Sequence, residues 1–535
     1  MSAFPAFAAL LVGLAALLLL YRRARRRGVR YPPGPPGLPP NRERARRAVP
    51  KGVSVVEVPR DVQAIRYVVV AHGCSVFGGW LRDVDFVCAA GTDILRLNAL
   101  GTNIIVIDTL KPALELLDKR SAKYSDRPRM IMLNELAGFG WNFGSMEYGE
   151  NWRECRKMTH REFHAAPFKQ YRPILYRNAC DFLRRLRSGR GTVPGHLKHV
   201  VGANIMEIVY DIKVLPEHDP FIVLAEAGQE CVGRSTTGGL YLVELLPFLK
   251  YMPSWLPGAA FKRQAAVWRQ AADKQLHVAY DDFLERMKRG KVENHCMAKS
   301  LIDSYGLDDP VADGRMRATT ATMYMGGAET TAAALHSFFL AMALYPEVQA
   351  KARQEMDSVL GLGKLPTFDD FGTLPYIDAI VKELLRWYPI VPLLIPHKLS
   401  TDDVYDGYLL EKDSFVMVNI WAILHDEDKY KEPFAFNPDR FLKNGALDPD
   451  VFDPQEVAFG FGRRVCPGLH MAYDGMWIIV ATVLACFEIG MPKDAAGKVT
   501  ELREDFVSSF VCEPKPFVCD IRLRSEAHAS LFKDE

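Results

Sequence analysis

Across 535 residues the chain carries 67 Lys and Arg against 65 Asp and Glu, a net charge of +2, with 49% hydrophobic and 25% charged residues. That composition excludes a mainly disordered, collagenous or disulfide-stapled chain and leaves ample length for a deep core. The charge is unevenly placed: residues 1–50 hold ten arginines and one glutamate, for +9, and the remaining 485 residues sum to −7. A basic character confined to one flank argues for a membrane surface rather than nucleic acid as the partner.

Met1 to Tyr21 contains no charged side chain, and Leu10 to Leu20 is almost continuous Leu, Ala and Val. The spacing predicts a single N-terminal transmembrane helix over residues 1–21, long enough to cross a hydrocarbon core of about 30 Å. A cleaved signal peptide would carry its positive charge ahead of the apolar run. Here Arg22, Arg23, Arg25, Arg26, Arg27 and Arg30 follow it, an order that predicts a signal anchor with everything after it on the cytoplasmic side. Residues 22–40 form a basic flank and hinge, ending in the Pro32-Pro33-Gly34-Pro35-Pro36-Gly37 break.

Residues 41–90 show no sustained period and read as irregular. From Gly91 onward order returns: Ile94 to Leu97 and Ile104 to Ile107 predict paired strands. Helical patterns follow over Lys111 to Lys119, Tyr148 to Phe163, Tyr171 to Ser188, Ala203 to Ile212, Ala260 to Arg289, Arg315 to Tyr345, Pro346 to Leu360 and Tyr376 to Trp387. Short strands are expected between Ile395 and Asn419. The pattern predicts a mainly α body with a minor β-sheet over residues 91–535, one long central helix near residue 325, and a single large catalytic domain.

The ten cysteines (Cys74, Cys88, Cys155, Cys180, Cys231, Cys296, Cys466, Cys486, Cys512 and Cys519) show no C-x-x-C pair, which disfavours a zinc ribbon or an extracellular disulfide framework. One is singled out by its neighbours, in Phe459-Gly-Phe-Gly462-Arg-Arg464-Val-Cys466-Pro-Gly468, ahead of an apolar helix over Leu469 to Leu484. A helix start favours an anionic thiolate, the form that binds metal, and glycines let the backbone fold tightly around it. Arg464 can pair with an acidic group on whatever that thiolate holds. At average residue usage the five fixed positions of F-x-x-G-x-R-x-C-x-G arise by chance in about one such chain in ten thousand.

At these residues the chain resembles the cytochrome P450 family, haem-thiolate monooxygenases, in its membrane-anchored microsomal form and with a fungal flavour. The resemblance covers Gly91 to about Phe510 together with the anchor and hinge. It implies the cytochrome P450 fold, a haem b (iron protoporphyrin IX) cofactor, and Cys466 as the axial thiolate ligand of its iron. Gly326-Gly327-Ala328-Glu329-Thr330-Thr331 resembles the family's distal-helix motif, which implies that Gly327 leaves room beside the cofactor and that Glu329 and Thr330 deliver protons; a hydroxyl refilled by a neighbouring carboxylate through water suits that task. Trp152-Arg-Glu-Cys-Arg156 resembles W-x-x-x-R and implies that Trp152 and Arg156 face a haem propionate. His397 stands where the family often places a further donor, and Phe459 opens the cysteine loop beside the haem. Glu383-Leu-Leu-Arg386 and Arg440, in Phe436-Asn-Pro-Asp-Arg440-Phe441, resemble the buried structural triad that holds the cysteine loop. E-x-x-R spacing also occurs at Glu43 with Arg46, Glu57 with Arg60 and Glu150 with Arg153, so position distinguishes the pair.

No G-x-G-x-x-G nicotinamide or flavin fingerprint is fused to the chain, so electrons are expected from NADPH-cytochrome P450 reductase, with cytochrome b5 as a second donor. Arg153, Lys157, Arg161 and Arg463 would supply a basic docking face. The resemblance implies an endoplasmic-reticulum monooxygenase that inserts one atom of O2 into an apolar small molecule, in secondary metabolism or xenobiotic oxidation. By family position the pocket walls are Met132 to Phe143, the 215–262 region, Val391 to Ile395 and Ser508 to Phe510. A haem-thiolate isomerase, dehydratase or peroxygenase is the alternative within the fold, and a non-catalytic membrane-anchored binding protein the alternative outside it. Residues 41–90 lack the aromatic-bearing helix the family usually shows there, and the economical reading is a gene-model artefact, an intron or misplaced boundary read as protein.

Overall fold

The computed structural model describes residues 93–99, 102–237, 241–494, 497–507, 510–525, 528 and 531. The expected anchor, the hinge and the irregular stretch over 41–90 lie outside the described residues. Among the described residues there are eleven helices of nine or more residues. In chain order they are α1 (Glu150–Phe163), α2 (Arg172–Ser188), α3 (Val193–Tyr210), α4 (Pro220–Thr237), α5 (Ala260–Lys288), α6 (Met297–Tyr305), α7 (Pro310–Gly327), α8 (Thr330–Leu344), α9 (Pro346–Val359), α10 (Pro375–Trp387) and α11 (Leu469–Cys486).

The largest sheet has four strands. β1 (Ile94–Ala99) and β2 (Thr102–Ile107) pair antiparallel with Ile94 opposite Ile107. After β3 (His397–Lys398), a hairpin of β4 (Asp403–Tyr405) and β5 (Tyr408–Leu410) leads to β6 (Phe415–Val418), which runs parallel to β2 and antiparallel to β3. Alternation along a strand divides its side chains between faces. Ile105 and Ile107 accordingly join Val416, Val418 and Leu117 in one apolar cluster, while Ile104 and Val106 join Leu393 and Met417 in another that leads to the central cavity.

The main core is helical. α11 runs through it: Trp477, Ile478, Val480, Val483 and Leu484 are fully buried, and α11 packs on α2, α8 and α10. By length and composition this helix alone, among the described residues, could cross a membrane, yet most of it lies inside the fold. An apolar helix that is hydrophobic all round is here the centre of a large core.

Three differences from the sequence reading have local causes. α3 begins at Val193 instead of Ala203, because Pro194 sits in the first turn, where its missing N–H costs nothing, and the Thr192 hydroxyl caps the helix by accepting from the Gly195 N–H. α4 carries only a weak apolar period, and α6, although amphipathic, is a single nine-residue stretch; the sequence reading placed no helix at either. The expected long central helix is two helices: α7 ends at Gly327, and Glu329, with φ −130° and ψ −36°, separates it from α8. Paired glycines weaken the helix at that point.

Candidate active site

The two halves of the interrupted helix meet an internal cavity of about 480 Å³. Cys466, Phe459, Arg464 and Gly468 line it from one side, and Gly326, Gly327, Thr330 and Ala334 from the other. Cys466 lies two residues ahead of Gly468, the N-cap of α11, and its own N–H donates to the Phe459 carbonyl at 2.8 Å. Burial pushes the Cys466 thiol up; the Gly468 N–H and the charge of Arg156 work in the opposite direction. The loop depends on glycine at 462, where φ is +52° and a Cβ would collide with the Leu117 carbonyl.

Arginines converge on the same end. Arg464 is buried, donates to the carbonyls of Ser125 (2.7 Å), Phe143 (3.2 Å) and Met146 (2.7 Å), and lies 4.3 Å above the Trp152 ring. Burial lowers its guanidinium to about 9, with Asp126 opposing the shift and Arg156 adding to it. Arg127, which the sequence reading missed, lines the cavity as well and donates to Gly144, Ile395 and Pro396 carbonyls at 3.0, 2.7 and 2.9 Å. Arg156 is half-buried, and among the described residues its guanidinium has no hydrogen-bond or ion-pair partner; burial holds it below its ordinary value, while Cys466 opposes the shift. A partly desolvated cation with no counter-charge, set between a thiol and two further arginines, fits an acidic ligand bound at the sulfur.

His397 lines the same end of the cavity. Its Nδ1–H donates to the Tyr124 carbonyl at 2.6 Å, and burial together with Arg127 and Arg464 pushes the ring well below its ordinary value. Trp152 is likewise engaged as the platform beneath Arg464.

On the opposite wall, Thr330 Oγ1 donates to the Gly326 carbonyl at 3.1 Å. The expectation for Gly327 is also revised. A Cβ there would lie 2.9 Å from Ile205 of α3, so this glycine serves helix packing, while nothing lies within 4 Å of a Cβ at Gly326, which supplies the open space. Glu329 turns away from Thr330's side of the wall to Lys198 at 3.4 Å, and Lys198 also meets Glu226 at 3.2 Å. Burial raises the Glu329 carboxyl and Lys198 lowers it, with burial the larger effect.

Glu383, Arg386 and Arg440 are brought together beneath the site. Arg386 donates to both Glu383 oxygens at 2.7 and 2.9 Å, and Arg440 reaches Glu383 at 3.2 Å. The Asn437 N–H adds a contact of 2.7 Å, and Arg386 also donates to the Leu424, Pro433 and Ala435 carbonyls. The side chains of Glu383 and Arg386 are 0% exposed.

The Cytochrome P450 family model matches residues 87–520. The chain is 38% identical over 521 residues to tryptamine 4-monooxygenase of Psilocybe cyanescens, covering 95% of this chain and 96% of that protein. It is 36% identical over 540 residues to cytochrome P450 monooxygenase COX1 of Coprinopsis cinerea, covering 98% of each. A zebra fish cytochrome P450 structure with abiraterone superposes with a TM-score of 0.62 at 23% identity, over 81% of this chain and 97% of that one, a likeness of fold. A half-buried thiol facing a helix break across a cavity, arginines that suit an acidic ligand, and a family match over most of the length together establish that this chain belongs to the cytochrome P450 family and is a haem b monooxygenase.

Proposed function

We propose that this protein inserts one atom of O2 into a lipophilic small molecule, taking electrons from NADPH-cytochrome P450 reductase with cytochrome b5 as a second donor. Its setting would be secondary metabolism or xenobiotic oxidation at the endoplasmic-reticulum membrane. The single observation that carries the reading is Cys466 on one wall of a mainly apolar cavity with Thr330 and the open space at Gly326 on the other.

Haem bound through the Cys466 sulfur supplies the activation of dioxygen. The chain does the rest. The Gly468 N–H and Arg156 favour the thiolate form; Arg156, Arg464 and Arg127 would hold the propionates, and Trp152 supports Arg464 from one face. Thr330 hands a proton into the cavity, and Glu329 refills it from the Lys198–Glu226 side, swinging off its ion pair to do so. The Glu383, Arg386 and Arg440 cluster fixes the segment before the cysteine loop and takes no part in the chemistry.

Membrane attachment rests on the predicted anchor over residues 1–21, with residues 91–535 as the catalytic body. It is supported by the exposed apolar side chains between α4 and α5: Leu242, Phe248, Tyr251 and Trp255 are 63 to 78% exposed, beside Lys250, Lys262 and Arg263. The reductase would meet a second basic face. Arg153, Lys157, Arg161 and Arg463 are all exposed, and Arg153 and Arg463 share the Tyr148 ring at 5.8 and 5.5 Å. The fungal relatives, one of them named for an indole amine substrate, support a natural-product setting.

The test is the carbon monoxide difference spectrum of the dithionite-reduced holoprotein beside Cys466→Ala. A strongly red-shifted Soret band that disappears in the variant is expected. A band at the shorter wavelength of neutral or histidine ligation, or a band indifferent to Cys466, refutes the assignment.

A further inference from the structure

The cavity is charged unevenly. Its ionisable lining residues include Arg127, Arg156, Arg464 and His397 at the Cys466 end and Arg129 away from it, and among the described residues Glu244 is the sole carboxylate that lines it. Glu244 sits on the short helix Leu242–Leu245 and reaches across to the backbone of the opposing wall, where the Ile131 and Met132 N–H groups donate to its two oxygens at 2.8 and 2.7 Å. A carboxylate offers about four acceptor positions, so half of its capacity is left for a ligand.

It forms no ion pair among the described residues. No lysine, arginine or histidine among the described residues lies within ion-pair distance of Glu244, and the nearby cations Arg129 and Lys250 are committed to Glu135 at 2.5 and 2.8 Å. Burial raises the Glu244 carboxyl, the two N–H groups and Arg129 oppose that, and Glu135 adds to it. Holding a carboxylate out of water without a cation is unfavourable, and a cationic ligand supplies what the protein omits.

The neighbouring polar groups have the same bias. Ser235 and Thr236 line the cavity, but their hydroxyl protons are donated back to the Cys231 and Val232 carbonyls at 2.7 and 2.8 Å. Gln229 gives one of its two amide N–H groups to the Met325 carbonyl at 2.6 Å. What the two hydroxyls have left for a ligand is oxygen lone pairs, and Gln229 keeps its carbonyl oxygen and one N–H. An acceptor-lined wall around an unpaired carboxylate recognises N–H donors.

We propose that Glu244 is a specificity-determining residue that selects, among apolar molecules, those carrying a protonated amine, by pairing with that ammonium inside the cavity. The inference rests on the monooxygenase reading and adds the substrate class to it. The ammonium is held at the α4 end, which turns the apolar body of the molecule toward Thr330 and the open space at Gly326.

The experiment titrates the ferric holoenzyme with two matched pairs, tryptamine and tryptophol, and octylamine and octanol, following the Soret band in wild type, Glu244→Gln and Glu244→Ala. A shift to shorter wavelength reports a ligand seated without nitrogen on the iron; a shift to longer wavelength reports an amine on the iron itself. The expected result is a short-wavelength shift with at least about tenfold preference for amine over alcohol in one or both pairs. In Glu244→Gln the amines should weaken by about tenfold or more while the alcohols stay within about twofold. Equal affinities within both pairs, a preference that survives in Glu244→Gln, an equal loss of amine and alcohol, or amines seen only on the iron each overturn the proposal. The reduced carbon monoxide band is recorded on the same samples. Its presence with no amine preference refutes Glu244's role alone, whereas its absence from wild type removes the haem-thiolate reading and this proposal with it.

Discussion

Glu383→Ala tests whether the fold around the cysteine loop depends on one buried charge. The substitution leaves the Arg386 and Arg440 guanidinia, 0% and 7% exposed, without their common counter-ion, although each keeps its carbonyl contacts. Breaking a buried pair in this way costs about 3 to 5 kcal/mol, a large share of a total stability of about 5 to 15 kcal/mol. At about 2.1 cal/mol/K of unfolding entropy per residue, a body of about 440 residues loses about 1 °C of Tm per kcal/mol. The expected fall is about 3 to 5 °C. Thermal unfolding followed by circular dichroism gives the Tm, and pyridine haemochromogen absorbance gives haem per chain, which should fall in parallel. Glu383→Gln, which can accept hydrogen bonds but carries no charge, should be intermediate. A Glu383→Ala protein with wild-type Tm and full haem content would refute the reasoning, because it would mean that the guanidinia are adequately solvated by carbonyls alone.

Asp378 of α10 is raised to about 6 by burial, with Trp477 and Lys382 lowering it. Its native-state value exceeds the unfolded one, so the native state binds more protons. Stability from this group is complete below about pH 4 and is lost as pH rises through about 6, an upper limit of about 3 kcal/mol; Asp378→Asn should flatten Tm between pH 4 and 7, and an unchanged pH profile rejects the assignment. Thr330→Ala should keep NADPH consumption while lowering product per NADPH by about 10²-fold, read as a rise in hydrogen peroxide or excess water; full coupling would exclude the hydroxyl. Lys198→Ala removes the cation that lowers the Glu329 carboxyl, so the acidic limb of the pH–rate profile should move to higher pH, and a downward shift would contradict the ion pair. Trp255→Ser, at a 78% exposed position, should weaken binding of the catalytic body to anionic vesicles in flotation without altering the carbon monoxide band.

What the sequence disclosed was local. The Cys466 loop and the Glu383–Arg386 spacing are legible because a tight backbone path and a single helical turn dictate which residue types stand where, and Gly462 shows how little freedom the path allows. Contacts that join distant segments left no such trace. Arg127 sits in a Ser-Asp-Arg-Pro string that reads as a turn, and only the folded chain reveals its carbonyl partners at Ile395 and Pro396. Glu244 lies in a short helix without period, and its meaning depends on Ile131 and Met132 more than a hundred residues earlier. The helix break at Glu329 was hidden for a different reason. Gly326 and Gly327 weaken the helix there without dictating a break, and the departure is seen in the backbone angles of Glu329. The start of α3 was masked by Pro194 and Gly202, yet Gly202 faces Ile222 so closely that a Cβ would lie 3.0 Å from it; a residue that looks like a helix breaker is there to let two helices meet.

The crowding of Arg127, Arg156 and Arg464 around one end of the cavity reaches beyond catalysis to how the protein accumulates. Like charges at low exposure repel one another, so a dianionic ligand offsets a local electrostatic cost at this end of the cavity. A ligand that binds only the native state shifts the folding equilibrium by an amount set by its concentration relative to its Kd. Haem supply is therefore expected to act as a quality gate on this chain: where polypeptide is made faster than porphyrin, the surplus should lie further toward the unfolded side of the balance, open to proteolysis, and the yield of enzyme should follow the prosthetic group rather than the messenger.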